Sequence, residues 1–451
     1  MSKAAVRLIA VAVATAAVMT AAPAATAAAS TPATASATTT ATTSDPFYAY
    51  GGSEPLSAFA PGTVLKTRTL QYHLLGLSTP LKAVQLLYRT TDAQGRPAAN
   101  VTTVVRSPTG DRSKAVSYQS FYDSLSPEDG PSRAIAGDVT LGGLIPNVEA
   151  LFLVPLLTQG YDLVIPDTEG QRANFAAGPE YGTNTLDSIR AATRSAETGL
   201  GSATAFGLMG YSGGSIATNW AAALAPSYAP DVNRKLVGYA EGGLLVDPAH
   251  NLKYVDGSLA WSGVIPMSVI GVSRSYDIDL SSYLNGYGLQ VYKELEHGSI
   301  LDALGHYPGL TWKKMAKPEY ADPNSIPAFL EAVNKLNLGS AATPAVPGFI
   351  AQGNAGVLEG TFGNHPGIGR GDGVMVAGDV RALARQYCAT GGSAVKYSQY
   401  ELLSHTGAPV VWAPVALGWL GDRFAGKPAP SDCGRIPAGN ALTPEEPAPL
   451  S

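Results

Sequence analysis

The stretch Leu208-Met209-Gly210-Tyr211-Ser212-Gly213-Gly214-Ser215 crowds small residues around one hydroxyl. Its core, Gly210 to Gly214, satisfies G-x-S-x-G. The apolar run "ATAFGLMGYS" before it reads as a strand, and "SIATNWAAALA" after it as a helix. In that setting the motif bends a strand into a helix and lifts a nucleophilic serine off the turn. Side chains two positions either side of the serine would collide with neighbouring strand and helix backbone, and glycine removes those collisions. The bend also places Ser212 at a helix N-terminus, where free N–H groups favour developing negative charge.

A serine hydroxyl is a weak nucleophile until a base takes its proton, and the base needs an acid to orient it. On such an elbow the chain order is serine, acid, histidine. Of the six histidines, five follow Ser212. His405 lies just after the last predicted strand, "AVKYSQYELL", and before the last predicted helix, where the base belongs. His250, His297 and His306 fall at or within an irregular segment, His365 in a Gly/Pro-rich loop, and His73 lies upstream; ordinary packing or solvated roles suit them. The acid should follow the strand "PGFIAQG". Asp379 reads as the N-terminal cap of the helix "DVRALARQYC", which leaves Asp372, between Gly371 and Gly373, as the preferred acid and Glu359 as the alternative. Arg370-Gly371-Asp372 also spells an adhesion tripeptide; one loop cannot do both jobs, and chance accounts for the match. For an oxyanion hole the N–H of Gly213 is one donor. No HGGG stretch follows the strand "KAVSYQSFYD", so the backbone N–H of Asp123 is the second, its side chain a brace or turn cap.

The elements that must hold these groups alternate. "AVQLLYRTTD" and "AANVTTVVRSP" form an opening strand pair across the turn "AQGRP". "KAVSYQSFYD", "YDLVIPD", "ATAFGLMGYS", "LVGYAEGGLLV", "AVPGFIAQG" and "AVKYSQYELL" follow as strands, with helices "LFLVPLLTQG", "LDSIRAATRSAE", "SIATNWAAALA" and "GDVRALARQYC" between. Val/Ile/Leu-rich strands alternating with helices indicate a mostly parallel sheet covered on both faces, an α/β fold. From about 251 to 343 the alternation stops. There Trp261, Ile265, Val269 and Val272 share one helical face, and "PAFLEAVNKLNLG" carries Pro327 at its start and Gly339 past its end. This region reads as a helical cap inserted into the sheet.

The chain has 451 residues, 45% hydrophobic and 14% charged, with a formal net charge of −5. It shows no Lys/Arg cluster, which argues against nucleic acid as a partner. It also has no H-E-x-x-H, no Cys/His cluster and no P-loop, so neither a metal nor a nucleotide cofactor is expected. Lys3 and Arg7 precede a short apolar run and Ala-rich cleavage sites, the pattern of an export signal over 1–28. Its removal would take the charge to about −7. Residues 29–44, rich in Ser, Thr and Ala, read as a flexible leader. The core is expected over 45–247 and 344–440, the cap over 248–343 and a flexible tail over 441–451. No later segment is apolar enough to span a membrane, so the protein is expected outside the cell. Two cysteines in an exported chain, Cys388 and Cys433, are expected to pair. That bridge would brace the loop carrying His405.

Together "DPFY", "PGTVL", "QLLYRTTDAQGRPAANVTTVV", "SYQSFYDS", "VIPDTEG", "LDSIRAA", "GYSGGS" and "LGDRFAGKPAPSDC" resemble, in order, the signature stretches of the secretory lipases, a fungal-type family with bacterial members. The resemblance runs from Asp45 to Cys433. It implies an α/β-hydrolase core with a cap (lid), hydrolysis of carboxylic esters including triacylglycerols, and no cofactor; the apolar cap adds the expectation that a lipid or ester substrate is met at a lipid–water interface. It implies Ser212 as nucleophile, His405 as base, Asp123 and Gly213 as oxyanion donors, and a Cys388–Cys433 bridge. Asp372-Gly373-Val374-Met375 matches the family's acid element, though it stands farther from the preceding strand than is usual there. An acyltransferase or peptidase on the same fold, and a non-catalytic secreted binding protein, are the other readings of this residue set.

Overall fold

The Val-, Ile- and Leu-rich segments assemble into one nine-stranded sheet. In the computed structural model, which describes residues 45–390 and 393–448, the strands are β1 (Val64–Leu74), β2 (Leu77–Thr91), β3 (Pro97–Val105), β4 (Lys114–Gln119), β5 (Asp162–Pro166), β6 (Ala205–Tyr211), β7 (Leu236–Gly242), β8 (Gly348–Gly353) and β9 (Val395–Tyr400). The order across the sheet is β1-β2-β3-β5-β4-β6-β7-β8-β9. The first three strands run antiparallel and β3 meets β5 antiparallel; from β5 to the β9 edge every pairing is parallel. Strands β5, β6 and β8 are buried almost throughout, as parallel strands covered on both faces must be. The first strand was not anticipated in the sequence. Its polar "KTRTLQ" alternates between half-buried and exposed positions before the buried Tyr72, the mark of a one-sided edge strand. The signal and leader expected over 1–44 lie outside the described residues. Asp45–Ala49 form a short separate piece, in which the Asp45 side chain caps the turn Pro46–Tyr48 by accepting from the Phe47 N–H at 2.9 Å.

Helices α1 (Ala150–Thr158), α2 (Gly178–Arg194) and α3 (Gly213–Tyr228) follow their strands. Between β7 and β8 come α4 (Pro248–Val255), α5 (Val264–Tyr276), α6 (Gly286–Leu295) and α7 (Pro327–Leu336), with shorter turns. The last two are α8 (Ala377–Thr390) and α9 (Ala408–Phe424). One face of the sheet packs on α2, α3 and α8 through Leu186, Ile216, Trp220 and Leu383. The other packs on α1 and α9 through Leu156, Trp412 and Leu420. The helices between β7 and β8 bury Ile265, Val269, Trp312 and Phe329 together in a third cluster, which Phe175 and Met375 join from loops outside that segment. Among the described residues no helix is long and apolar enough to cross a membrane.

Cys388 on α8 is bonded to Cys433. Beside that bridge, Asp432 covers the open edge of β9: its N–H donates to Val395 O at 2.8 Å and its carboxylate accepts from the Tyr397 N–H at 3.1 Å. The expected flexible tail is tied down as far as it is described. Glu445 accepts from Lys253 Nζ at 2.9 Å and Asn324 Nδ2 at 2.6 Å, and its backbone pairs with the Asn334 amide at 2.8 and 3.0 Å. Composition suggested a loose end, whereas a single carboxylate with several donors around it fixes one.

Candidate active site

Strand β6 ends at Tyr211 and α3 begins at Gly213, leaving Ser212 alone in the bend at φ 53° and ψ −124°. A non-glycine residue there stores strain of order 1–3 kcal/mol, which its surroundings must offset. The Ser212 N–H donates to Gly242 O at 2.9 Å, and Ser212 O accepts from the Ser215 N–H at 2.8 Å and its hydroxyl at 2.6 Å. The two flanking glycines are required by close approach. A Cβ at Gly210 would strike Gly214 O, and one at Gly214 would strike Gln119 O on β4.

The loop after β9 brings His405 to this serine, with Nε2 2.7 Å from Ser212 Oγ. Nδ1 lies 2.8 Å from Asp372 Oδ2. Asp372 sits in a tight turn before α8, its Oδ1 accepting from the N–H groups of Val374 (3.1 Å) and Met375 (2.8 Å). The His405 N–H donates to Asp372 O at 2.7 Å, and Tyr211 Oη donates to His405 O at 2.8 Å. The imidazole is therefore fixed by backbone as well as by its ring. A carboxylate only accepts, so Nδ1 carries the hydrogen and the Nε2 lone pair faces the serine hydroxyl. Burial works to push His405 down, but the Asp372 carboxylate, with help from Glu359 and Asp123, outweighs it and holds the imidazole above its ordinary value.

The alternatives separate cleanly. Glu359 does not meet the His405 ring nitrogens; its two oxygens accept from Trp261 and Thr406. Asp379 is not the cap of α8 but lies inside its first turn, where it accepts from Asn440 Nδ2 at 2.7 Å and meets His250 Nδ1 at 3.0 Å. With those partners in reach, its carboxylate has no need of the helix's own N–H groups. His297, His306 and His365 are exposed. Because the Asp372 carboxylate is fully buried against His405, the Arg370-Gly371-Asp372 tripeptide cannot present it to an adhesion partner.

Asp123 follows β4 at φ 38°, and its carboxyl fills the space that a Cβ on Gly213 would need. Among the described residues, the N–H groups of Asp123 and Gly213 have no intramolecular acceptor, and both residues line the same cavity as Ser212. Two buried acids fasten the loop around them. Glu149 accepts from the Phe121 N–H (2.9 Å), the Ser120 hydroxyl (2.5 Å) and Tyr118 Oη (3.1 Å). Glu169 accepts from the Ser124 N–H at 3.2 Å. Burial pushes Asp123 up to about 7, against the pull of His405, and Glu149 up to about 8. Neither glutamate was singled out in the sequence. The signal for Glu149 was there: one carboxylate alone in the apolar run "LGGLIPNVEALFLVPLL" has to find buried donors.

From Ser212 an apolar cavity runs under the helices between β7 and β8. Phe175 and Ile216 line it from the core; Trp261, Ile265, Val269 and Val272 line it from the start of α5, and Phe329 from α7. The four residues read as one helical face thus share one wall, although Trp261 stands just before the helix begins. Among the described residues no group of three or more His, Cys, Asp or Glu side chains could hold a metal ion.

The chain is similar to known proteins along most of its length. Residues 138–432 match the secretory lipase family. Lipase 5 of Candida albicans is 31% identical, over 87% of this chain and 83% of its own length. A Mycobacterium tuberculosis protein described as a "probable inactive lipase" is 32% identical, over 86% of this chain and 83% of its own. Among solved structures, Candida antarctica lipase A in its closed state superposes with a TM-score of 0.75 at 24% identity, covering 90% of this chain and 91% of that one. The rice cell wall degrading esterase LipA of Xanthomonas oryzae superposes at 0.60 and 14% identity, covering 82% and 100%. The architecture shared with both is the α/β-hydrolase fold.

Proposed function

The chain belongs to the secretory lipase family, and from that premise we propose that it is a secreted ester hydrolase, a triacylglycerol lipase or esterase, working through Ser212, His405 and Asp372. Membership alone does not carry the reading, since one relative is described as inactive. What carries it is the unbroken relay from Ser212 Oγ to His405 Nε2 at 2.7 Å and from Nδ1 to Asp372 at 2.8 Å.

In the proposed reaction, His405 Nε2 takes the hydroxyl proton as Ser212 Oγ bonds to the ester carbonyl carbon. The carbonyl oxygen becomes an oxyanion and accepts from the N–H groups of Asp123 and Gly213, which are aimed at charge that exists only in the transition state. The intermediate collapses, the carbon–oxygen bond to the alcohol breaks, and His405 returns the proton to the leaving alkoxide. Water repeats the sequence on the acyl-serine and frees the acid. The Asp372 carboxyl group, 2.8 Å from Nδ1, stabilises the transient imidazolium. The acyl chain lies in the apolar cavity, where each buried methylene contributes about 0.8 kcal/mol. The helices over that cavity act as a cap, and their movement at a lipid surface would admit substrate. Every reacting group is a side chain or backbone N–H, so the reaction as written uses no metal or cofactor. Export rests on the basic and apolar pattern of 1–28 and on the family's secretory character.

The test is a series of p-nitrophenyl esters from short to long acyl chains, given to the wild type and to Ser212→Ala. The expected result is turnover by the wild type and none above background by the variant. Equal turnover by both would remove the proposal. A steep rise in rate on emulsified over dissolved ester would support movement of the cap; a rate that follows dissolved substrate alone would remove that part.

A further inference from the structure

Glu359 joins two parts of the molecule that the proposed reaction needs in fixed relation. It stands in the turn Gly356–Glu359 just after β8. One carboxylate oxygen, Oε2, accepts from Trp261 Nε1 at 2.6 Å. The other, Oε1, accepts from the Thr406 N–H at 2.9 Å and its hydroxyl at 2.6 Å. Thr406 is the residue after His405. Trp261 precedes α5, is 6% exposed, and lines the cavity beside Ser212. Its indole meets the His405 imidazole edge to face, with ring centres 5.1 Å apart and planes at 82°. A buried indole N–H must find an acceptor, and an ionised one gives a stronger, more directional bond than a neutral one.

We propose that Glu359 is a positioning residue that couples the helices over the cavity to the histidine loop, setting the His405 ring and the near wall of the acyl cavity together. The proposal rests on the reading of Ser212 and His405 as the reacting pair. One oxygen controls where the indole sits, and the other controls the backbone that carries the base. If Trp261 swings away, the imidazole loses the surface that backs it and the cavity loses its wall on the same side. The carboxylate also acts through charge. Three acids face His405: Asp372 from the turn before α8, Asp123 from the loop after β4, and Glu359; each favours the imidazolium. Removing the Glu359 charge therefore lets the imidazole stay neutral to lower pH.

Glu359→Gln, Glu359→Ala, Trp261→Phe and the Glu359→Ala/Trp261→Phe double variant test it. The readouts are kcat and KM on a short and a long p-nitrophenyl ester, the pH profile of kcat/KM, and the titration of the His405 imidazole by NMR. Glu359→Ala is expected to lower kcat/KM between about 10- and 100-fold, the scale of a small misplacement of reacting groups. The double variant should be no worse than Glu359→Ala, because the two side chains act as one unit. In Glu359→Gln the imidazole should titrate at lower pH and the acid limb of the profile should move with it. An unchanged His405 titration in Glu359→Gln, or losses that multiply in the double variant, would overturn the coupling. Should Glu359→Ala fail to fold, Glu359→Gln/Trp261→Phe serves in the cycle. The NMR titration needs no turnover, so it judges Glu359 even if Ser212→Ala shows the reading of the reacting pair to be wrong.

Discussion

Ser212, His405 and Asp372 are each held by contacts that fix orientation before any substrate arrives. The serine backbone is strained and pinned, the imidazole is tied at its ring and at its own N–H and C=O, and the acid accepts from two N–H groups of its own turn. Asp372→Asn keeps the shape but presents an amide that can satisfy the wrong tautomer of His405. It should lower kcat by about 10³- to 10⁴-fold with little change in KM, measured on a dissolved short-chain ester. At this scale the sequence was informative where chemistry restricts residue type. G-x-S-x-G between a strand and a helix, and a histidine after the last strand, pointed to residues that lie within hydrogen-bond reach. The acid was harder to read. Asp372, Glu359 and Asp379 stand in one loop and its following helix, and only the folded turn shows that Glu359 faces an indole and Asp379 a histidine. For the buried glutamates behind Asp123, the apolar run around Glu149 signals burial, but their donors Ser120, Phe121 and Ser124 are distant in sequence and show only in the fold.

Helix α5 is the element that shapes the cavity. Ile265, Val269 and Val272 recur at helical spacing and face the space leading from Ser212. Filling that space should shorten the acyl chains accepted without touching the chemistry. For Val269→Trp the expected outcome is unchanged kcat on an acetyl ester and a KM for long-chain esters that rises about fourfold for each methylene excluded. A uniform loss across chain lengths would mean that the substitution disturbs Ser212 instead. Periodicity made the strand–helix alternation and the apolar face of α5 legible. It did not reveal β1, whose solvent-facing residues dilute the pattern, nor that "LVGYAEGGLLV" stops being a strand at Gly242. The last strand residue, Gly242, and Gly243 just beyond it give their carbonyls to the Ser212 turn, a tertiary demand with no local signature.

Across the whole molecule, burial of acids sets how stability responds to pH. Asp123 and Glu180 are pushed up to about 7 and Glu149 up to about 8, each chiefly by loss of solvent. Their folded values lie above their unfolded ones, so between about pH 4 and pH 8 the folded state holds protons that the unfolded chain has released, and stability falls as pH rises. His250 and His405, both raised, act in the same direction, their contribution being lost as pH rises through their folded values. The thermal midpoint should therefore be higher at pH 5 than at pH 8, whereas turnover, which in the proposed reaction needs neutral His405, should fall on the acid side. The Cys388–Cys433 bridge closes a separation of 45 residues. Replacing both cysteines by serine should lower unfolding free energy in denaturant titration by about 4 kcal/mol in the loop-entropy account. If one hydroxyl forms the covalent intermediate, a p-nitrophenyl alkylphosphonate should trap it, and peptide mass mapping of the labelled chain locates the adduct. One adduct per chain is expected, located on Ser212, formed in step with loss of ester hydrolysis and absent from Ser212→Ala. An adduct on another residue, or full hydrolysis by the chain labelled at Ser212, would contradict it.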